Sequence, residues 1–367
     1  MNQAPDATKR RGPKLRVLVV DDSLMNRFSI EAVLRSDPGI EVIGHAKNGE
    51  EALQLALGLK PDVITLDIEM PKMDGFTFLR ILMSRLPIPV IVVSSYGNKE
   101  TVFRALELGA VDFVARNEAR PDDPALLGQV VTKVLLARDV RALRSMSPSP
   151  YRTPPLGMAR PETKPETLDA LTSVPLKHVV VIAASTGGPS ALVEIFARLP
   201  TRFPGVVLVA QHMPERFTKT FAERLDRRSA IRVREARDLD LVTAQQAFVC
   251  PGGLVTTMRA ALPANRAEFG LACLPPTSPD RFAPSADTLM ESVAKVAGTR
   301  AIAVVLTGMG DDGMRGAQAI RAAGGRVIAE SEETAIVHGM PGATIRAGVV
   351  DKILSLPEIA SFISSLA

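Results

Sequence analysis

The chain has 367 residues, 46% of them hydrophobic and 23% charged, with a formal charge of +4. That balance excludes a disordered chain and supplies material for more than one core, while apolar runs such as Val17–Val20 and Val179–Ala184 are too short to span a bilayer. Acidic and basic residues alternate along most of the length, so the small positive excess does not mark a nucleic-acid surface.

Cys250 and Cys273 are the only cysteines, which excludes a disulfide framework and a cysteine zinc site and fits a reducing cytosol. No apolar run follows Lys9, Arg10 and Arg11, so a secretory signal is not expected. The expectation is a cytoplasmic protein without membrane insertion. Aromatic residues are 4% and Trp is absent, which leaves aliphatic cores of the kind that fill buried parallel sheets.

In chain order, the pattern predicts strands over 16–20, 41–46, 62–66, 89–93 and 111–115. Helical periodicity falls between and after them, over 24–34, 50–57, from Phe76, around 101–108 and over 125–143. Strict alternation of this kind implies a five-stranded parallel sheet with helices on both faces, doubly wound through right-handed crossovers. The expected divisions are a tail at 1–14, a first domain at 15–143, a linker at 144–175 and a second domain at 176–367. The linker carries Pro148, Pro150, Pro154, Pro155, Pro161, Pro165 and Pro175 without apolar periodicity. Arg138, Arg141, Arg144, Arg152 and Arg160 make its beginning basic, read as a solvated helix end and linker. Beyond it the pattern predicts strands over 178–184, 206–211, 301–307 and 326–330, and helices over 191–199, 217–227, 286–296 and 314–323. The second domain is therefore also α/β.

Asp21 and Asp22 follow the first strand directly, and Asp67 follows the third. In a doubly wound sheet of order 2-1-3-4-5 these tips are neighbours at the carboxyl edge, where ligands bind. Three carboxylates crowded there invite a hard divalent cation. Ser94 and Arg116, at the ends of the fourth and fifth strands, are expected to face the same pocket.

The stretches Val19-Val20-Asp21-Asp22-Ser23 and Asp67-Ile68-Glu69-Met70-Pro71-Lys72-Met73-Asp74-Gly75 resemble the signatures of response-regulator receiver domains, over about 16–144. The resemblance implies a flavodoxin-like fold with Asp67 as phosphoacceptor from a sensor histidine kinase. It implies Mg²⁺ bound by Asp21, Asp22, Asp67 and the carbonyl of Glu69, and a switch role for Ser94. The family usually has Lys and then Pro where this chain has Arg116 and Asn117. The positive charge is kept, with a planar fork in place of a point charge.

In the second domain, Ala183-Ala184-Ser185-Thr186-Gly187-Gly188-Pro189 joins a strand to a helix, the setting of an exposed nucleophile, although Ser185 in that place is also a fitting helix cap. Gln211-His212-Met213-Pro214 and Thr307-Gly308-Met309-Gly310-Asp311-Asp312-Gly313 end two further strands. If all three strands are parallel, a serine, a histidine and one of two aspartates converge, the constellation of a serine hydrolase. Their chain order, Ser, His, Asp, differs from that of α/β-hydrolases.

With Cys250-Pro251-Gly252-Gly253, Pro284-Ser285-Ala286-Asp287 and Gly339-Met340-Pro341, these segments resemble the catalytic domain of the CheB family of protein-glutamate methylesterases, from about residue 178 to the end. The resemblance implies Ser185 as nucleophile, His212 as base, Asp312 rather than Asp311 as orienting acid, Thr186 steadying the imidazole, and the Met309 N–H stabilising the oxyanion. It further implies hydrolysis of glutamate methyl esters and deamidation of glutamines on chemoreceptors, with no cofactor for the ester chemistry. Phosphorylation of Asp67 would control it, the linker permitting the first domain to lie over the cleft. Val255 stands where the family often has His, and Cys250 where it commonly has Ala; both are expected to alter substrate-groove contacts.

Three rival functions have sequence support. Gly308-x-Gly310-x-x-Gly313 after a strand, with Glu330 about 20 residues on, fits a dinucleotide fingerprint. A receiver can also drive a DNA-binding output, or a catalytically silent one. His45, His178 and His338 are expected to be structural.

Overall fold

The computed structural model describes residues 13–95, 99–116, 128–137, 174–261, 267–277 and 281–367. The expected tail and linker lie outside these residues apart from 13–14 and 174–175, as do Asn117, the basic residues from Arg138 to Arg160 and both ends of the helix expected over 125–143. The chain divides into two compact units, and each is taken by itself.

In the first unit β1 (Leu15–Val20), α1 (Leu24–Arg35), β2 (Ile40–Ala46), α2 (Gly49–Leu59), β3 (Val63–Leu66), α3 (Gly75–Arg85), β4 (Val90–Ser95), α4 (Lys99–Glu107) and β5 (Asp112–Arg116) follow in order. A further helix, α5, covers 128–137. The strands form one sheet of order β2-β1-β3-β4-β5, parallel throughout. Val17–Val20 and Val63–Leu66 are buried, which is why they read as apolar runs, broken only by Thr65. Short polar residues start the helices: the side chains of Ser23, Asn48 and Asp74 accept backbone N–H groups of α1, α2 and α3. Each such cap contributes about 1 kcal/mol.

The second unit is a seven-stranded sheet of order β15-β14-β13-β6-β7-β10-β8. Its strands are β6 (His178–Ala184), β7 (Gly205–Gln211), β8 (Arg232–Glu235), β10 (Gln246–Val249), β13 (Ala301–Val305), β14 (Arg326–Glu330) and β15 (Lys352–Leu354). All pairings in it are parallel. The helices are α6 (Gly188–Ala197), α7 (Glu215–Arg228), α8 (Ala286–Ala297), α9 (Met314–Ala322), α10 (Met340–Arg346) and α11 (Leu356–Ser364). From β6 the chain winds out through β7, β8 and β10, then returns to β13 on the other side of β6. The switch point thus falls between β6 and β13, where an open α/β sheet forms its ligand crevice.

A three-stranded antiparallel sheet, β11 (Val255–Ala260), β12 (Phe269–Leu274) and β9 (Leu241–Val242), interrupts the α/β alternation. It packs into the core with α8: Met258, Phe269, Leu271 and Cys273 join Leu289, Met290 and Val293 in one buried cluster. Cys250 and Val255 are only 1% and 6% exposed. This corrects the expectation that they alter groove contacts: both are packing residues, and burial pushes the Cys250 thiol up to about 12, which makes it inert. Among the described residues no helix is long and apolar enough to cross a membrane.

Candidate active site and acidic pocket

Register places the three strand tips side by side. β6 pairs with β7 from His178↔Gly205 to Ala184↔Gln211, and β13 pairs with β6 with Val305↔Ala183 last. The next residues leave the ladder together, and their backbone groups bind one another. The N–H of His212 donates to Ala184 O at 2.9 Å, and that of Ser185 to Thr307 O at 3.0 Å. The strand expected over 301–307 therefore stops at Val305, because Thr307 has turned to serve the serine.

Ser185 sits on a tight turn. Its carbonyl accepts the N–H of Gly188 at 2.9 Å, and Gly187 takes φ +82°, which L side chains rarely adopt. A Cβ at Gly187 would also press on Ile336 at 2.9 Å. The N-cap of α6 is Gly187, with no side-chain cap bond, so the helix-cap reading of Ser185 does not hold and its half-buried hydroxyl is left for other work. Gln211, 1% exposed, ties the two turns together: its Nε2 donates to Ser185 O at 2.9 Å and to His212 O at 3.1 Å.

His212 Nε2 and Asp312 Oδ2 are 2.7 Å apart. Asp312 is buried and held from behind by the start of α8, where Ala286 N–H donates to Oδ2 at 2.8 Å and Asp287 N–H to Oδ1 at 2.9 Å. These are unpaired donors of a helix first turn, at the positive end of its dipole. Burial alone raises the Asp312 carboxyl, but the His212 hydrogen bond and charge, with the two backbone donors, hold it below the ordinary carboxylate value. An ionised acid on Nε2 fixes the proton there and leaves Nδ1 as the basic nitrogen. Phe282 stacks on the imidazole, ring centroids 4.6 Å apart and planes 14° off parallel. A cavity of about 240 Å³ adjoins the pair, with Arg281, Phe282, Asp311 and Arg315 among its lining residues. Asp311 lies at the rim, paired with Arg281 at 3.3 Å.

Thr186 is buried, and its carbonyl accepts Thr307 Oγ1 at 2.9 Å. Met309 is 46% exposed. It stands between Gly308, which bridges to His338, and Gly310 at φ +89°. Asp287 Oδ1 accepts the N–H groups of Gly313 and Gly316 at 2.9 and 2.8 Å. The donors that a pyrophosphate would need at the head of α9 are thus already bound, and Glu330 is buried against Thr307 N–H at 2.8 Å. The dinucleotide fingerprint is formal only.

In the first unit, carboxylate oxygens of Asp21, Asp22 and Asp67 all lie within 4.8 Å of one another. Asp21 is fully buried, Asp67 nearly so and Asp22 exposed. Burial, then the charge of Asp21, pushes Asp67 up to about 7, against lowering by the N–H groups of Ile68 and Glu69 and by Arg116. Arg116 Nη1 reaches Asp21 Oδ2 at 3.3 Å. Arg116 thus faces Asp21 and Asp67, and the three-carboxylate donor set fits a hard divalent cation. Ser94 is buried beside this edge, in register with Ala115. Glu69 is exposed.

Sequence reasoning had no signal for Phe282, which the chain brings to His212 from a loop far along it. Asp287 lay inside the Pro284–Asp287 motif, but its role as the cap of the 313–316 turn needed the fold. Gln211 lay inside a motif, but its bridging role needed the register. Of the remaining histidines, His45 pairs with Glu31 at 2.9 Å, and burial lowers His178 at the far end of β6.

These features define a two-domain response regulator: a receiver-type sheet with an acidic pocket, and an α/β output domain with a serine, an imidazole and a buried aspartate at its switch point. The response-regulator receiver domain model matches residues 17–123, and the CheB methylesterase model matches residues 180–363. The chain belongs to the CheB methylesterase family. It is 44% identical over 353 residues to a protein-glutamate methylesterase/protein-glutamine glutaminase of Myxococcus xanthus, covering 96% of this chain and 97% of that one. It is 48% identical over 354 residues to another of that description from Anaeromyxobacter dehalogenans, covering 95% and 94%. The solved catalytic domain of Thermotoga maritima CheB methylesterase is 36% identical, with a TM-score of 0.49 over 52% of this chain and 98% of that one. The output domain thus matches a methylesterase model, not a DNA-binding module.

Proposed function

We propose that this chain hydrolyses methyl esters on glutamate side chains of chemoreceptors, deamidates selected glutamines there, and is controlled by phosphorylation of its receiver domain. The observation that carries the reading is the His212–Asp312 pair at 2.7 Å, anchored on α8 and set beside the Ser185 turn. His212 takes the hydroxyl proton of Ser185, and the oxygen attacks the ester carbonyl. The Met309 N–H meets the charge that develops on the carbonyl oxygen, a donor of this kind contributing about 3–4 kcal/mol. Thr186 steadies the imidazole. His212 returns the proton to the departing methanol, and a water activated by the same imidazole releases the glutamate. An amide passes through the same tetrahedral intermediate, so a glutamine would yield ammonia and glutamate. Specificity comes from gripping the receptor around the ester, since a methyl group needs no deep pocket.

In the receiver, Asp67 accepts a phosphoryl group from a sensor histidine kinase. Asp21, Asp22, Asp67 and the Glu69 carbonyl would hold Mg²⁺, which when bound neutralises charge on the transferring group. Ser94 and Arg116 answer the new charge, and the effect on the esterase is a population shift. The protein works in the cytoplasm, recruited to membrane receptor arrays through its substrates.

The test is methanol release from a methylated receptor with and without acetyl phosphate. Wild type should release methanol and be stimulated, and Asp67→Asn should lose the stimulation. Absence of methanol from the wild type would overturn the esterase reading, and equal stimulation of Asp67→Asn would overturn the regulatory one.

A further inference from the structure

Glu330 ends β14 with no exposure to solvent, and the reaction above does not use it. Its Oε2 accepts the Thr307 N–H at 2.8 Å, while Oε1 is buried without a hydrogen-bond partner. A carboxyl so placed, held by that N–H and by the Thr334 side chain, is a costly group to bury for two neutral donors. Thr307 is where that N–H leads. Its carbonyl accepts the Ser185 N–H at 3.0 Å. Its Oγ1 donates to Thr186 O at 2.9 Å and accepts the Val337 N–H at 2.9 Å. The following residue, Gly308, donates to Val337 O at 2.9 Å and accepts from Met340 N at 2.8 Å. A Cβ on Gly308 would meet Ser185 Cβ at 2.8 Å, so this peptide and the serine turn are in direct contact.

We propose that Glu330 is a positioning residue for the esterase: its carboxyl fixes the Thr307 peptide, and through it both the Ser185 turn and the Gly308–Met309 peptide. This rests on the reading of Ser185 as nucleophile and of the Met309 N–H as oxyanion donor. The groups around Glu330 make its charge responsive near neutrality. Burial, then repulsion from Glu194 on α6, raises it to about 7, against the lowering by Thr307 N–H and the Thr334 side chain. Glu194 is itself paired with Arg198, the residue that caps the end of α6, at 3.1 Å. In the segment after β14, Ser331 and Thr334 bring no charge, Glu332 and Glu333 are exposed, and His338 is the other titratable group, its Nε2 buried without a partner. As pH rises through this range the carboxyl ionises and becomes a stronger acceptor for Thr307.

The experiment uses the full chain with two substitutions. Glu330→Gln keeps an acceptor oxygen and removes the ionisation; Glu330→Met keeps the bulk and removes the acceptor. Two readouts are taken from about pH 5.5 to about 9, a span that brackets the shifted value near 7 and stays above the ordinary carboxylate range. One is kcat and KM for methanol release. The other is the Thr307 amide resonance in threonine-labelled protein. The amide should titrate with a midpoint near 7 in the wild type and lose that transition in Glu330→Gln. Glu330→Met should lower kcat roughly ten- to hundredfold, the cost of a small misplacement, with KM little changed. Glu330→Gln should recover most of that loss. A wild-type kcat in Glu330→Met, a Glu330→Gln protein as slow as Glu330→Met, or a Thr307 amide indifferent to pH would each overturn the proposal. Should Glu330→Met fail to fold, the Thr307 titration in wild type and Glu330→Gln decides. That titration reads the hydrogen bond without reference to activity, so it stands apart from a failure of Ser185 as nucleophile.

Discussion

Ser185→Ala should lower kcat for methanol release by a factor on the order of 10⁵ to 10⁶ while leaving the fold intact, the loss expected when a triad nucleophile is removed. The first half follows from the proposed chemistry, in which no other group forms the bond to the acyl carbon. The second follows from the local structure. The hydrogen bonds that shape the turn run from the Ser185 backbone, to Thr307 O, from Gly188 N and from Gln211 Nε2, and alanine retains all of them. A thermal melt matching the wild type alongside the lost activity would show that chemistry, not folding, was removed. Full activity in the variant would contradict the mechanism.

Asp312→Asn should lower kcat by about 10⁴-fold, the size expected when the acid that fixes an imidazole tautomer becomes an amide. Three donors converge on this carboxylate: His212 Nε2, Ala286 N–H and Asp287 N–H. An amide supplies one oxygen where two were used, so its NH₂ must face a donor. That mismatch should also cost roughly 1–3 kcal/mol of stability. The pH dependence gives a second signature. The folded Asp312 is held below its ordinary value, so its contribution to stability is complete above the unfolded value. It is lost as pH falls through the folded one. Denaturant melts from pH 7 down to about 3, below the ordinary value of a free aspartate, should show wild type losing stability on this limb more steeply than Asp312→Asn. Parallel curves would place the carboxylate's role elsewhere.

The parts of the fold legible in the sequence were those in which a buried strand ends directly on a polar residue. Val17–Val20 before Asp21, Val63–Leu66 before Asp67, and Val179–Ala184 before Ser185 are, Thr65 apart, apolar on both faces because helices cover both sides. Their last residue therefore announces the sheet edge. The boundaries of β14 and α8 agree with expectation to within a residue. What escaped were elements without such contrast. β8 and β10 are four residues each, too short to show a period, and β8 carries Arg232, Arg234 and Glu235. β9, β11 and β12 form an antiparallel insertion inside what read as continuous alternation.

At the site, residue types alone left Asp311 and Asp312 equivalent, and only the family resemblance chose between them. The structure supplies the physical difference. The head of α8, well upstream in the chain, donates two N–H groups to the Asp312 carboxylate, while Asp311 faces Arg281 at the rim. Glu330 shows the opposite case. Its spacing from the glycines fitted a dinucleotide fingerprint, and its burial against Thr307 assigns it to the protein's own scaffold.

The most direct test of the central claim is covalent. The full chain is treated with a fluorophosphonate, which reacts with a serine oxygen activated by a neighbouring base, and the modified peptide is identified by mass spectrometry while methanol release is followed in parallel. The account predicts a single adduct on Ser185, loss of activity in step with labelling, and no labelling once His212 is replaced by glutamine. An adduct on another residue, or full methanol release from protein labelled at Ser185, would contradict it.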